Sequence, residues 1–135
     1  MIKKIVDNGI LIAIVGSLQD MAYGNNFITE PELPMQIGVM RFNKCKINNH
    51  VHKVRNRQTK SISNEFHMVV EGKAILSLFN PNKNLVTKMT LNSGMFCALY
   101  NGGHGYEIIR DNTVIVEVKA GNYTNRDDDK ELING

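Results

Sequence analysis

The sequence predicts an all-β protein, either a sandwich or a barrel. Short segments rich in Ile, Val, Phe and Tyr alternate apolar and polar residues with a period of two. Turn clusters such as "EGK", "NPNKN", "NSG" and "NGG" separate these segments. No stretch of about a dozen residues shows helical periodicity. Many short strands at near-regular spacing are typical of a sandwich or a barrel.

The first element in chain order is an apolar N-terminal segment, residues 1–16, "MIKKIVDNGILIAIVG". Its two lysines and its apolar run raise the possibility of a signal peptide. However, Asp7, Asn8 and Gly9 interrupt the run, which also falls short of the roughly 20 apolar residues of a membrane span. We therefore expect strands here and no membrane partner. The proline-rich "TEPELP" (29–34) is predicted to link an N-terminal strand pair to the main sheet.

The following segments form the predicted main body. Those with strand patterns are 35–42, 65–79, 85–91, 94–100, 104–110 and 112–119. At 135 residues the chain is long enough for one domain with a real core. We expect a single domain, in which residues 1–34 form the N-terminal strands and linker, 35–120 the barrel core and 121–135 a polar tail.

Composition and charge exclude some classes of function. With 42% hydrophobic and 21% charged residues, the composition is typical of a globular protein. A formal charge of +3 is too small an excess to indicate a nucleic-acid partner. Cys45 and Cys97 are far apart and form no CxxC pair, which favours free thiols in a reducing cytoplasm, with a disulfide as the alternative.

The histidines form the most informative pattern. His50 and His52 are two residues apart, so on an extended strand their side chains share a face, and the same holds for Glu65 and His67. His104 opens a further strand after two glycines. Three imidazoles (His50, His52, His104) and the Glu65 carboxylate suit a divalent transition metal, Fe, Mn, Ni or Zn, with positions left open. The alternative for any single histidine is a surface or hydrogen-bonded residue.

The order of these residues resembles the cupin superfamily of small jelly-roll β-barrels. The cupin pattern of HxH, a glutamate, six residues and a glycine is matched by His50, His52, Glu65 and Gly72. The second cupin motif is matched by Gly94, "MFCALYNG", Gly103 and His104. Two features depart from the family pattern: the gap from His52 to Glu65 is longer, and Tyr100 replaces a proline before the turn.

The resemblance extends over nearly the whole chain to bacterial single-domain cupins associated with sugar-nucleotide and surface-polysaccharide genes. The matching stretches are "ILIAIV", "LPMQIG", "HVHKVRNR", "GGHG" and "EVKAGNY". It implies a cupin jelly-roll β-barrel with an extra N-terminal strand region, and a metal held by His50, His52, Glu65 and His104. The implied function is isomerase or epimerase chemistry on a small anionic sugar or sugar nucleotide. A non-catalytic binding module and a metal-dependent dioxygenase are the alternatives.

Other polar residues surround this predicted centre. Lys53, Arg55 and Arg57 alternate in a loop that would lie at the barrel mouth, where they could bind an anionic ligand; the alternative is a solvated loop. His67 is either a fifth donor, a general base or a buried histidine satisfied by a neighbour. Tyr106 shares the face of His104 and is a candidate proton donor, with core packing as the alternative.

Assembly can also be anticipated. Small jelly rolls leave sheet edges that need to be covered, and segment 1–16 has no obvious partner strand in the sequence. We expect a homodimer in which this strand, or the sheet beside it, crosses between subunits. A further pair is expected within "VIVEVK", where Lys119 shares a face with Glu117 and would neutralise it.

Overall fold

The computed structural model describes residues 1–50, 53, 64–119 and 131–133, and this part of the chain is all-β. A single short 3₁₀ turn within these ranges, Leu18–Asp20, follows the second strand. The strands are Ile2–Asp7 (β1), Ile10–Ser17 (β2), Gly24–Phe27 (β3), Gly38–Arg41 (β4), Glu65–Glu71 (β5), Lys73–Phe79 (β6), Leu85–Asn92 (β7), Met95–Leu99 (β8), Gly103–Ile108 (β9) and Val114–Lys119 (β10). The prediction of an all-β fold is confirmed.

The strands form three antiparallel sheets. A five-stranded sheet has the order β1-β2-β8-β5-β10, a three-stranded sheet the order β7-β6-β9, and β3 pairs with β4. One apolar core contains residues of both larger sheets, including Ile12, Val15 and Val69 from the first and Leu76, Leu78 and Leu91 from the second. The two larger sheets therefore share a core, and their inner faces meet in it.

The alternating pattern of β5 and β6 explains how these two strands contribute to the core. Alternate residues of β5 from Glu65 to Val69 are buried, and so are alternate residues of β6 from Ala74 to Leu78. Successive side chains of a strand leave opposite faces, so one face of each strand enters the core. In β5 that inward face carries two polar residues, Glu65 and His67, before the apolar Val69.

Gly72 forms the corner at which the chain leaves the five-stranded sheet and enters the three-stranded sheet. Its φ of +92° is a left-handed conformation that glycine tolerates best. A Cβ at this position would lie 2.3 Å from Thr113 Oγ1 and 2.6 Å from Thr113 Cα. A side chain here would therefore displace the segment that leads into β10. The corner allows β5 and β6 to face the same core from two sheets.

A second tight turn precedes β9. Gly102 has a φ of +75°, and a Cβ on it would lie 1.9 Å from the carbonyl oxygen of Phe79. Only glycine permits this close approach of two backbone segments. The turn starts β9 beside the end of β6, where Gly103 pairs with Phe79 and His104 pairs with Leu78. The position of His104 thus depends on the glycine before it.

The outer face of the five-stranded sheet carries a second, smaller apolar cluster. Ile14, Ala98 and Tyr100 are buried there beneath residues of the segment 28–37, including Ile28, Leu33 and Met35. Tyr100 donates a hydrogen bond from its hydroxyl to the carbonyl oxygen of Met35, at 2.7 Å. Residues 29–34, predicted only as a linker, therefore lie within the stretch that covers part of this face.

The N-terminal segment forms a β-hairpin with partners inside the chain. Asn8 and Gly9 both have positive φ, 47° and 75°, as a two-residue type I′ turn requires. This hairpin joins β1 to β2, and β2 also pairs with β8. The premise that segment 1–16 lacks a partner strand is therefore wrong. The homodimer itself stays a prediction.

The strand predicted before the first histidine pair differs from the observed one. The strand predicted over 35–42 is shorter, Gly38–Arg41, and residues 42–50 contain no strand, so His50 does not lie on one. No helix within the described part of the chain is long and apolar enough to cross a membrane.

Candidate metal centre

The register of the five-stranded sheet assembles one half of a polar cluster on its inner face. On β5, Glu65 and His67 point inward and are buried. The pairing with β10 places Lys119 opposite Glu65 and Glu117 opposite His67, while the pairing with β8 places Cys97 opposite His67. Directly opposed residues in an antiparallel pair share a face, so these side chains are neighbours.

The three-stranded sheet supplies the other half from β9. His104 and Tyr106 lie opposite Leu78 and Leu76 of β6, on the face that enters the core. The ring of His67 lies 5.1 Å from that of His104 and 5.6 Å from that of Tyr106, measured between centroids. The polar cluster therefore bridges the two sheets.

Glu65 is the centre of the cluster. Its Oε2 lies 2.9 Å from Nε2 of His67 and 3.2 Å from Nε2 of His104. Its Oε1 lies 3.0 Å from the ammonium nitrogen of Lys119. The side chains of Glu65 and His67 are almost fully buried, whereas that of His104 is 29% exposed. Solvent or a small ligand can therefore approach the cluster beside His104.

These contacts determine the charge state of Glu65. Burial alone would raise the pKa of this carboxyl group, but hydrogen bonds from His67 and Lys119 and the charges of the two imidazoles outweigh it. The result is a pKa lowered to about 2. Glu65 is therefore an ionised carboxylate at neutral pH, the form that binds metal ions.

The donor atoms of this cluster fit a metal ion. One ligand atom from each of Glu65, His67 and His104 lies within 4.8 Å of the other two. Transition metals bind imidazole nitrogen and carboxylate oxygen at about 2.0–2.2 Å, so neighbouring ligand atoms on one ion lie about 3.0–3.5 Å apart. The contacts of 2.9 and 3.2 Å are close to this range. This buried group could hold a metal ion.

Tyr106 and Cys97 lie behind His67. The hydroxyl of Tyr106 is 2.9 Å from Nδ1 of His67 and 3.2 Å from Sγ of Cys97. Burial raises the pKa of Cys97 to about 11, and burial together with the neighbouring Cys97 raises the pKa of Tyr106 far above its ordinary value. Both groups therefore keep their protons at neutral pH, and Tyr106 is a hydrogen-bond donor rather than a base.

The structure places the predicted site residues in different surroundings. It brings Glu65 and His104 together and adds His67 to them. His50 is exposed, with Nδ1 3.3 Å from the carbonyl oxygen of Asn48, and it does not belong to the Glu65 group. Lys53 is exposed. His52, Arg55 and Arg57 lie outside the described residues. The roles predicted for these residues as metal ligands or substrate-binding groups stay predictions.

Two residues of the cluster were not predicted to belong to it. Lys119 makes the expected ion pair with Glu117, at 3.9 Å, but its ammonium lies closer to Glu65, at 3.0 Å. Both cysteines are free thiols, as the sequence predicts: Cys45 is exposed and Cys97 is buried. The alternation of residues in β10 places Lys119 on the inner face, but only the pairing of β10 with β5 identifies its neighbour.

Comparison with models of protein families, with curated proteins and with solved structures returned no match. Function is therefore inferred from the residues of the chain and their geometry. They define an all-β protein with a buried Glu/His/His group that could hold a metal ion.

Proposed function

We propose that this protein is a metal-binding β-barrel domain of the cupin type that acts on a small anionic ligand. The order of motifs in the sequence supports the cupin assignment, because Gly72 follows Glu65 by six intervening residues and two glycines precede His104. The antiparallel all-β architecture is compatible with it. The observation that carries the metal assignment is that two imidazole Nε2 atoms face one carboxylate oxygen, Glu65 Oε2.

The proposed metal ligands are Glu65, His67 and His104. Two nitrogens and one carboxylate oxygen suit a divalent Fe, Mn, Ni or Zn ion and leave positions open for water or substrate. His50 and His52, which the sequence motif assigns as ligands, are the competing set. The metal content of protein purified without added metal, measured by mass spectrometry, tests whether an ion is bound.

Single variants distinguish the two sets of ligands. In calorimetric titration with Zn²⁺, His67→Ala should abolish tight binding if His67 is a ligand, whereas His50→Ala should leave it unchanged. The opposite result would show that the ligands are those assigned by the sequence motif, His50, His52, Glu65 and His104. His104→Ala should abolish binding in either case and serves as the positive control.

The proposed reaction is an isomerisation or epimerisation next to a carbonyl group of a sugar or sugar nucleotide. A bound divalent ion supplies Lewis acidity that polarises such a carbonyl. Tyr106 keeps its proton at neutral pH and is the proposed proton donor once its hydroxyl turns from His67 and Cys97 to the substrate. The Lys119 ammonium, close to the carboxylate of Glu65, adds positive charge where negative charge would develop on the substrate.

Solvent exchange tests this reaction class. A panel of sugar nucleotides and sugar phosphates, incubated with the protein in D₂O, should include a compound that gains deuterium at the carbon next to its carbonyl. Tyr106→Phe should slow the exchange by about 10²–10⁴-fold, the range typical of general acid–base catalysis. Tyr100→Phe alters a buried tyrosine on the opposite sheet face and should not slow it.

The anionic character of the ligand is tested at the predicted barrel mouth. Replacement of Arg55 or Arg57 with Ala should weaken binding of a phosphorylated sugar by about 10- to 100-fold, because charge-assisted hydrogen bonds contribute about 1.5–3 kcal/mol. Unchanged affinity in both variants would reduce the basic loop to a solvated segment.

A second chemistry is favoured by the type of donor set. Two histidines and one carboxylate with open positions are typical of non-haem Fe(II) oxygenases. Anaerobic loading with Fe(II), followed by substrate-dependent oxygen uptake, would favour a dioxygenase. Another divalent ion with turnover but without oxygen uptake would favour the isomerase.

A non-catalytic, metal-free binding module is the third candidate. The ammonium of Lys119 already compensates the charge of Glu65, whose Oε2 also lies beside Nε2 of His67 and of His104. Tight binding of a sugar nucleotide by protein without bound metal, and without deuterium exchange, would favour this alternative.

A further inference from the structure

Tyr106 lies between two hydrogen-bond partners that can each act as donor or acceptor. Its hydroxyl is 2.9 Å from Nδ1 of His67 and 3.2 Å from Sγ of Cys97. A phenol has a single proton, so it donates to one of these neighbours and accepts from the other. An imidazole nitrogen donates or accepts according to the tautomer, and a thiol is both a weak donor and a weak acceptor.

We propose that Tyr106 and Cys97 are positioning residues for His67. They form a buried hydrogen-bond chain whose donors and acceptors can exchange roles. The direction of donation depends on whether Nε2 of His67, the nitrogen that faces Glu65, carries a proton. This inference rests on the proposed metal function, since it assigns His67 Nε2 as a metal ligand.

The metal-free geometry sets the first direction. Nε2 of His67 lies 2.9 Å from Oε2 of Glu65, and an ionised carboxylate can only accept hydrogen bonds. Nε2 must therefore carry the proton. We propose that the metal-free ring is neutral, so that Nδ1 is an acceptor and Tyr106 donates to it. The thiol of Cys97 donates in turn to the oxygen of Tyr106.

Metal binding would require the opposite direction. A nitrogen that binds a metal ion has no proton, so the proton of His67 must leave Nε2. One proton leaves Nε2 to solvent and one is taken up at Nδ1, so the ring remains neutral. Nδ1 then donates to the oxygen of Tyr106, whose proton turns to Sγ of Cys97. The two hydrogen bonds that link His67, Tyr106 and Cys97 are kept in both directions, and the proton shift leaves the net charge of these three side chains unchanged.

The residue at position 97 fits this role. A thiol can accept from Tyr106 in one direction and donate to it in the other, whereas an alanine could do neither. Outer partners of metal-binding histidines fix the tautomer and the ring orientation, and their loss typically weakens metal affinity by about 10- to 100-fold. Cys97 is fully buried beside Val69 and Leu99 in the core, so no water replaces it there without repacking.

Zn²⁺ titration of matched variants tests the positioning role. We expect Tyr106→Phe to weaken Zn²⁺ binding by about 10- to 100-fold. The control is Tyr100→Phe, which removes a hydroxyl that bonds to the carbonyl of Met35 in the other core cluster, and its affinity should match the wild type. Cys97→Ala should also weaken binding, and Cys97→Ser, which keeps a donor and an acceptor, should restore it.

Nitrogen-15 NMR of the histidine side chains tests the reversal on the wild-type protein, without any variant. His67 should carry its proton on Nε2 in the metal-free protein and on Nδ1 after saturation with Zn²⁺. Nδ1 protonation already present without metal, or a tautomer that Zn²⁺ does not change, would overturn the inference. Equal Zn²⁺ affinity of wild type and Tyr106→Phe would overturn the positioning role alone and leave the metal function standing. Absence of Zn²⁺ binding by the wild type would remove the metal function and the reversal with it.

Discussion

The two faces of the five-stranded sheet bury polar groups in contrasting ways. On the outer face the hydroxyl of Tyr100 donates a hydrogen bond to the backbone carbonyl of Met35, within an apolar cluster covered by the segment 28–37. On the inner face the polar groups are titratable and interlinked, with Glu65 contacting two histidines and Lys119. Both arrangements satisfy buried polar groups, as folding demands.

The difference indicates which polar residues serve only the fold. A tyrosine that donates to a backbone carbonyl has one hydrogen-bond arrangement and no partner with which to exchange a proton. The inner cluster combines an ionised carboxylate, two imidazoles, a phenol and a thiol, and these groups have several protonation and hydrogen-bond states. Such clusters are typical of functional sites.

Replacement of Glu65 should have the largest effect. Glu65→Gln removes the charge shared by Lys119 and two histidines, and it leaves the mostly buried ammonium of Lys119 without its closest carboxylate. Loss of one partner of a buried ion pair costs about 3–5 kcal/mol. We expect about 3 kcal/mol of destabilisation in urea unfolding of the metal-free protein, because Lys119 keeps some contact with solvent.

The matched control is a surface ion pair. Lys4 and Glu30 also contact each other, but both are exposed, and exposed pairs contribute little to stability. Glu30→Gln should leave the free energy of unfolding at the wild-type value. Equal effects of the two substitutions would show that the inner carboxylate is no more important to the fold than a surface one.

The pH dependence of stability should follow from the same carboxylate. The folded-state pKa of Glu65 is lowered to about 2, below the ordinary value of about 4.3 for an unfolded chain. The stabilisation is therefore complete above about pH 5 and is lost as the pH falls through 4 towards 2. Urea unfolding of metal-free protein between pH 2 and 7 should show this loss in the wild type. A Glu65→Gln profile as steep as that of the wild type would contradict the assignment.

The corner between the two sheets should give the next largest effect. Gly72→Ala places a Cβ 2.6 Å from the backbone of Thr113 in addition to the strain of positive φ. Gly9 also has positive φ, but a Cβ there would meet nothing within 4 Å. Left-handed backbone costs a non-glycine residue about 1–2 kcal/mol, so Gly9→Ala should lose about that amount in thermal or urea unfolding.

Gly72→Ala should lose clearly more, about 3 kcal/mol, because backbone strain and overpacking of a tight core add. The difference between the two variants isolates the contact with Thr113 from the cost of the left-handed conformation. Similar losses for both would mean that the segment around Thr113 moves aside freely.

The strands and the inward face of β5 were predictable from local pattern, whereas the neighbours across the sheets were not. A period of two assigns Glu65 and His67 to one face, and turn residues mark the strand ends. The Asn8-Gly9 pair is a recognisable signal of a two-residue hairpin turn, so the pairing of β1 with β2 was available in principle. The contacts of Glu65 with Lys119 and of Tyr106 with Cys97 depend on pairings between distant segments, which local patterns do not encode.

The smallest expected difference concerns the two cysteines. It is a difference in the rate at which a thiol reagent modifies them, measured without any change in the stability of the protein. Cys45 is exposed and Cys97 is fully buried, with a pKa raised to about 11 by burial. Since the thiolate is the reactive form, a disulfide reagent at pH 8 should modify one thiol of the folded protein rapidly. The second should react only after unfolding in denaturant. In Cys45→Ser no fast thiol should remain, and in Cys97→Ser the fast thiol should persist. Rapid modification of Cys97 in folded Cys45→Ser protein would show that the inner cluster opens to solvent around Cys97. The cluster would then be accessible near Cys97 as well as near the partly exposed His104.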